Sequence, residues 1–298
     1  MSTLSNLIVL CGTNASGKSG LGVTLAERYG GEIVSADSRQ VFRGLDLGSG
    51  KITPEETRGV PHHLIDVCEP GEFFSMHDFQ RMAYGAIDGI LERDRLPFLV
   101  GGTGLYVASV TEGYVMSDKA PDLEYRAYLE TFGTPELYEM LLKALPDTDV
   151  EPKNRNRVMR LLEKLHAGDD HIPRSQPKYD CLKLGVTWDR EVLRARIDER
   201  LDRRLNQGMI EEVKDLMDAG VSTEFLYKLG LEYRFIAQYL TGEIASREEM
   251  VELLGTAIKQ FAKRQMTWFR RDREILWLDM TGDPVAQACG EIDRFIQG

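Results

Sequence analysis

Residues 8–19 read IVLCGTNASGKS, an apolar run followed by a glycine-bounded loop that satisfies the pattern G-x-x-x-x-G-K-[ST]. The run predicts a strand at residues 7–11, and a helical pattern follows over residues 18–29. In this setting the loop N–H groups and the helix N-terminus bind phosphate, Lys18 reaches the terminal phosphate oxygens and the Ser19 hydroxyl suits Mg²⁺. Because most such loops bind ATP or GTP, a kinase or NTPase is the first interpretation.

The remaining pattern predicts an α/β fold. Short apolar runs alternate with helical stretches in the first third of the chain, which is typical of βα units and a parallel sheet. Further strands are predicted at residues 32–35, 62–67, 97–100, 181–188 and 275–278, and helices at residues 76–95, 190–207, 210–219, 231–240 and 247–268. Ser75 and Asp78 predict a capping box at the first of these helices.

From about residue 111 to residue 177 the sequence pattern changes from alternating strands and helices to helices alone. Residues 122–131, 135–145 and 153–167 show amphipathic helical patterns without a clear strand. We therefore predict a P-loop NTPase-like parallel sheet flanked by helices (residues 1–113 and 179–298), with an inserted all-helical lobe (residues 114–178).

Composition excludes some classes of protein. With 42% hydrophobic and 29% charged residues, the 298-residue chain is typical of a globular protein. No apolar run approaches the roughly 18 residues that span a bilayer, and the N-terminus lacks the features of a signal peptide. Four scattered cysteines without a C-x-x-C pair argue against structural zinc and indicate reduced thiols in the cytoplasm.

The charge distribution leaves a nucleic-acid partner open. The net charge of −11 counts against one. However, residues 153–164, 194–204 and 259–273 are locally cationic. Residues 257–272 interleave Arg and Lys with Trp and Phe, which suits unstacked RNA bases. The alternative is an amphipathic helix with a solvated basic face.

Two further segments are predicted to lie beside the phosphate loop, because ligands bind outside the carboxyl ends of parallel strands. Asp37 follows the second strand, where it can accept a proton from a nucleophile or simply cap a turn. Gly101 and Gly102 precede Thr103, which can bond a phosphate oxygen, although the glycines can also serve close packing. No convincing Walker-B strand is present in the core, which weakens the NTPase interpretation.

Together these segments resemble the tRNA dimethylallyltransferase (tRNA isopentenyltransferase) family. The resemblance spans residues 7 to about 278. It rests on GTNASGKS (12–19), SADSRQVFRGLDLGSGK (35–51), PHHLIDV (61–67), FSMHDFQ (74–80), VGGTGLY (100–106) and FAKRQMTWFR (261–270).

The resemblance implies that the loop holds the diphosphate of dimethylallyl diphosphate, with Mg²⁺ at Ser19. It implies alkylation of the exocyclic N6 amine of the adenosine 3′ to the anticodon, with Asp37 as general base and Lys18 and Thr103 stabilising the leaving diphosphate. The implied diphosphate-binding residues are Gly12, Thr13, Asn14, Ala15, Ser16, Gly17, Lys18, Ser19 and Lys228. The implied tRNA-binding residues are Ser38, Gln40, Arg157, Arg160, Lys263, Arg264, Gln265 and Trp268.

The sequence also departs from the family pattern. Asn14 follows Gly12-Thr13 where the family commonly has Gly-Pro-Thr, and Lys228 is expected to replace a diphosphate-binding arginine with weaker geometry. The lobe looks shorter than in familiar bacterial members. The alternatives are an adenylate isopentenyltransferase acting on free AMP, a P-loop small-molecule kinase, and an RNA-binding GTPase, which the missing N-K-x-D motif disfavours. The anticodon stem-loop of tRNA is the expected partner; no protein partner is evident, and a monomer is the default.

Overall fold

A computed structural model describes residues 4–116, 122–168 and 174–297. Its strands are β1 (Ser5–Gly12), β2 (Glu32–Ala36), β3 (His62–His63), β4 (Pro97–Gly101), β5 (Tyr179–Thr187) and β6 (Leu276–Asp279). They form one sheet with the order β3-β2-β4-β1-β5-β6, in which every pair is parallel. The predicted α/β fold with a parallel sheet flanked by helices is confirmed.

The helices are α1 (Lys18–Arg28), α2 (Pro54–Thr57), α3 (Met76–Glu92), α4 (Gly104–Thr111), α5 (Leu123–Glu130), α6 (Thr134–Ala144), α7 (Arg155–His166), α8 (Arg190–Asn206), α9 (Met209–Asp218), α10 (Thr223–Leu229), α11 (Leu231–Leu240), α12 (Arg247–Phe269) and α13 (Pro284–Gln297). The capping box predicted at Ser75 and Asp78 begins α3. None of the described helices is long and apolar enough to cross a membrane.

One predicted strand is largely wrong. Residues 62–67 were expected to be extended, but only His62 and His63 pair with β2. Leu64 and Asp66 adopt positive φ angles of 63° and 56°. Because an L-residue in the left-handed region turns the chain, the strand ends after two residues.

The chain divides into two compact units, Met1–Glu112 with Pro177–Gly298, and Gly113–Gln176. In the first unit, apolar side chains of β1, β2 and β4 are buried on both sides of the sheet. A separate apolar cluster joins α8, α9, α11 and α12. The second unit contains α5, α6 and α7 around its own small core, which includes Leu129, Leu141 and Val158.

The register of the sheet brings three loops together at one edge. Cys11 of β1 and Ala36 of β2 both lie opposite Gly101 of β4. The three strands therefore end side by side, and the segments that follow them emerge at the same edge of the sheet.

Candidate functional site

The phosphate loop runs between Gly12, which ends β1, and Lys18, which begins α1. Ala15 and Gly17 have positive φ angles of 57° and 88°. Such left-handed residues curl successive N–H groups around a concavity that suits an anion. Within the described residues, the buried Asn14 Oδ1 and Ser16 Oγ atoms have no hydrogen-bond partner. Unpaired buried polar atoms are rare, and these two indicate a loop shaped for a ligand.

Lys18 lines a cavity of about 300 Å³ at this edge of the sheet. Its ammonium group donates a hydrogen bond to the carbonyl oxygen of Thr13 at 3.2 Å. Burial lowers the pKa of Lys18 to about 8, partly opposed by the negative charge of Asp37. The lysine is thus a cation held in a desolvated site, which favours pairing with an anion.

Asp37 follows β2 and lines the same cavity as Lys18. Its Oδ1 atom accepts a hydrogen bond from the backbone N–H of Arg39 at 3.0 Å. The carboxylate therefore stabilises a local turn, as the simpler interpretation of the sequence expected, and also faces the cavity. One oxygen holds the turn, which fixes the carboxylate relative to the phosphate loop.

The segment after Asp37 is joined to the neighbouring loop. The Ser38 backbone N–H donates to the Thr103 hydroxyl at 3.1 Å, and Thr103 donates in turn to the Ser38 hydroxyl at 3.4 Å. Gln40 accepts a hydrogen bond from the Ser35 hydroxyl and donates to the carbonyl oxygen of Gly50. The side chains of Ser38, Gln40 and Thr103 all line the cavity, but they also connect its walls.

The two glycines after β4 serve close packing. A Cβ atom at Gly101 would collide with the backbone of Ala36, and one at Gly102 would lie 2.8 Å from Nε2 of Gln265. No larger residue fits either position without displacing a neighbouring strand or side chain. Of the two interpretations that the sequence left open, the packing one accounts for the glycines.

Gln265 of α12 has a different environment from the one expected of a tRNA-binding residue. It is buried, its Oε1 atom accepts the backbone N–H of Asn14 at 2.9 Å, and its Nε2 atom donates to the carbonyl oxygen of Gly102 at 2.9 Å. Its amide thus joins the phosphate loop to the turn after β4.

Several charged residues of the cavity were missed by the sequence analysis. Glu232 is buried. Its Oε2 atom lies 2.9 Å from Nη1 of Arg39, and its Oε1 atom lies 3.8 Å from Nη1 of Arg204. Arg200, one turn before Arg204 on α8, also lines the cavity, and burial with repulsion from Arg204 lowers its pKa to about 10. Arg200 thus remains protonated at neutral pH. Only the basic character of residues 194–204 signalled these arginines in the sequence.

The structure does not bring Lys228 to the cavity. Its side chain is 75% exposed and its ammonium lies 2.7 Å from the Glu224 carboxylate, one turn earlier on α10. Leu229 and Leu231 line the cavity near this point instead. The cations of the described cavity wall are Lys18, Arg39, Arg200 and Arg204.

The remaining predicted tRNA-binding residues lie outside the lining of this cavity. Lys263 and Arg264 are exposed on α12, and Trp268 is 37% exposed with its ring packed on Gly104. Arg157 and Arg160 are exposed on α7 of the second unit, where Arg160 pairs with Glu163.

A second cavity of about 690 Å³ also borders the phosphate loop. It shares Lys18, Ser19 and Arg200 with the first cavity. The Ser19 hydroxyl makes no hydrogen bond to any residue that the structure describes, and the described residues contain no group of three or more His, Cys, Asp or Glu placed to hold a metal ion. A metal ion here would depend on Ser19 and on ligand oxygens.

These features are those of a P-loop-like α/β protein in which a carboxylate lines the same cavity as the lysine of the loop. The family model described as IPP transferase matches residues 40–272. The chain is 45% identical over 293 residues to tRNA dimethylallyltransferase 1 of Geotalea daltonii, covering 96% of this chain and 95% of that one. The chain therefore belongs to the IPP transferase family, and the resemblance noted in the sequence is confirmed.

Solved structures agree with this assignment. The full-length tRNA isopentenylpyrophosphate transferase of Bacillus halodurans superimposes with a TM-score of 0.74 at 37% identity, covering 97% of each chain. A eukaryotic dimethylallyltransferase acting on tRNA gives a TM-score of 0.81 at 26% identity, covering 98% of this chain and 80% of that one. The family in general uses a divalent metal.

Proposed function

We propose that this chain transfers a dimethylallyl group from dimethylallyl diphosphate to the exocyclic N6 amine of the adenosine 3′ to the anticodon in tRNA. The chain is a prenyltransferase of the IPP transferase family, whose relatives are named for transfer of this group to tRNA. One observation carries the proposal: Lys18 of the phosphate loop and the Asp37 carboxylate line the same cavity.

The phosphate loop would hold the diphosphate of the donor. Its left-handed residues and the N-terminus of α1 provide N–H groups, while Lys18 and Arg200 provide positive charge. These groups stabilise the charge that develops on the diphosphate as its bond to C1 breaks. Arg200 takes the place that the sequence analysis gave to Lys228.

Asp37 would accept the proton of the amine. The N6 nitrogen attacks C1 of the dimethylallyl group, the C1–O bond breaks, diphosphate leaves and the amine proton passes to the Asp37 carboxylate. Atoms and charge balance without any further reactant. Because the Arg39 N–H holds Oδ1, the second oxygen is the one available for the proton.

A divalent metal fits the donor side of the cavity. The Ser19 hydroxyl and the diphosphate oxygens would hold Mg²⁺, in keeping with the preference of this ion for few protein ligands plus phosphate oxygens. When bound, Mg²⁺ supplies neutralising charge to the leaving diphosphate.

The tRNA would be bound by exposed basic and aromatic side chains. Lys263 and Arg264 are suited to phosphates, and Trp268 presents an exposed ring to a base. Arg157 and Arg160 of the second unit are proposed to grip the tRNA backbone as well. Gln265 supports the reaction through the loops that it joins rather than by contact with tRNA.

A comparison of two acceptors, each offered separately, tests the proposal. The protein is incubated with labelled dimethylallyl diphosphate, Mg²⁺ and either unmodified tRNA or AMP. We expect label in tRNA at the base 3′ to the anticodon and none in AMP. Label in AMP alone would show that the protein is an adenylate isopentenyltransferase instead. Phosphoryl transfer from ATP would show that it is a kinase. A tRNA substrate and four cysteines without a disulfide are consistent with action in the cytoplasm.

A further inference from the structure

The outer side of the phosphate loop is held by two side chains that the proposed chemistry does not use. The indole N–H of Trp188, just after β5, donates to the carbonyl oxygen of Ser16 at 2.8 Å. The Nε–H of Arg196, on α8, donates to the carbonyl oxygen of Ala15 at 3.1 Å. Two consecutive loop carbonyls are thus bound by donors from one short segment of the chain.

The two donors also contact each other. The guanidinium carbon of Arg196 lies 4.5 Å from the centre of the Trp188 ring. Stacking of a planar guanidinium on an indole fixes the orientation of both groups and is the favoured geometry of a cation–π pair. Each side chain is half-buried. The pair therefore acts as one unit against the loop.

The position of these contacts coincides with the strained part of the loop. Ala15 has a φ of 57°, a left-handed conformation that is strained for an L-residue. Such strain persists only where the surroundings stabilise it. Arg196 binds the carbonyl oxygen of this residue, and Trp188 binds that of the next one. Because these two side chains hold the carbonyls of Ala15 and Ser16, the loop retains the conformation that curls N–H groups around an anion.

We infer that Trp188 and Arg196 form a clamp that holds the phosphate loop in its diphosphate-binding conformation. They are positioning residues, since they act through the carbonyls of Ala15 and Ser16 and not on the reacting atoms. This inference rests on the proposed function in one respect, namely that the ligand of the loop is a diphosphate. The clamp lowers the conformational cost of binding and so sets the affinity for the donor.

Two conservative variants test the clamp in the full chain. Trp188→Phe retains an aromatic ring and removes the indole N–H donor, while Arg196→Lys retains the charge and removes both the Nε–H donor and the planar stack. Because one hydrogen bond contributes about 1 kcal/mol, we expect each variant to raise the Kd of inorganic diphosphate with Mg²⁺ about fivefold, measured by calorimetry. The KM for dimethylallyl diphosphate should rise by a similar factor, with kcat and the KM for tRNA unchanged.

Matched controls separate the clamp from general effects. Trp277→Phe, on β6, is the control for the tryptophan variant. Arg194→Lys is the control for the arginine variant, at an exposed position of α8 where Arg194 pairs with Glu191. Both controls should bind diphosphate as the unaltered protein does. If Trp188→Phe and Arg196→Lys also bind diphosphate normally, the clamp is wrong even though the proposed function stands. If the unaltered protein binds no diphosphate, the proposed function fails and the inference with it.

Discussion

The Oε1 atom of Gln265 accepts the backbone N–H of Asn14 at 2.9 Å, although 251 positions separate the two residues in the chain. The same side chain donates to the carbonyl oxygen of Gly102. One buried amide on α12 thus determines the spacing between the phosphate loop and the turn after β4. An interaction of this kind links the basic helix to the phosphate loop through the side chain of Gln265.

Replacement of Gln265 by Glu should therefore damage donor binding. The carboxylate loses the Nε2 donor and places an oxygen against the carbonyl oxygen of Gly102, which leaves a buried acceptor unsatisfied. We expect the free energy of unfolding to fall by about 1–3 kcal/mol, measured by urea denaturation, and the donor KM to rise. Lys263→Ala, an exposed change half a turn away, should leave the free energy of unfolding unchanged and raise the KM for tRNA instead. An increase in the tRNA KM alone for Gln265→Glu would restore the interpretation of Gln265 as a tRNA-binding residue.

What the sequence predicted correctly depends on local signals. The phosphate loop is recognisable because the four fixed residues of its pattern lie within eight positions, between a strand and a helix. The place of Asp37 follows from the end of β2. The contacts of Gln265, Arg200 and Glu232 could not be found in this way, because they join segments that are distant in the chain.

The position of Lys228 outside the cavity lining has a physical explanation. The resemblance to the family implies a diphosphate-binding arginine in this region, and Lys228 is the basic residue expected to replace it. However, α10 places Lys228 one turn after Glu224, so the two charges share an exposed face. The side chain of a helical residue can point away from the cavity that its neighbour lines.

Asp37→Asn is predicted to separate binding from transfer. Asparagine retains an oxygen that can accept the Arg39 N–H, so the turn after β2 should remain intact. Loss of the general base should lower the transfer rate by about 10²–10⁴ while the Kd of the donor stays nearly unchanged. Single-turnover measurements with saturating donor and tRNA provide the rate. Near-normal turnover would remove Asp37 from the role of base.

Donor binding should also depend on the protonation of Lys18. Burial lowers the pKa of this group from 10.5 to about 8, so the ammonium is present below pH 8 and is lost as the pH rises through that value. We expect kcat/KM for dimethylallyl diphosphate to decline above about pH 8, because this parameter reports the free protein.

The same shift has the opposite effect on stability. The unfolded chain binds more protons than the folded one between pH 8 and 10.5, so this group makes the free energy of unfolding increase with pH over that window. Lys18→Met removes the titrating group and should abolish both dependences. A decline in kcat/KM that persists unchanged in Lys18→Met would assign it to another group.

Arg200 and Lys228 offer a matched comparison of the two cations considered for the donor. Arg200 lines the cavity beside the phosphate loop, whereas Lys228 is 75% exposed and paired with Glu224. Arg200→Gln and Lys228→Gln each remove one positive charge from the same unit of the protein. Because a hydrogen bond to a charged group contributes about 1.5–3 kcal/mol, Arg200→Gln should raise the donor KM about 10- to 150-fold. Lys228→Gln should leave the donor KM unchanged in the same steady-state assay. Equal increases in the two variants would show that net charge alone governs the affinity, and a larger increase for Lys228→Gln would return the diphosphate contact to that lysine.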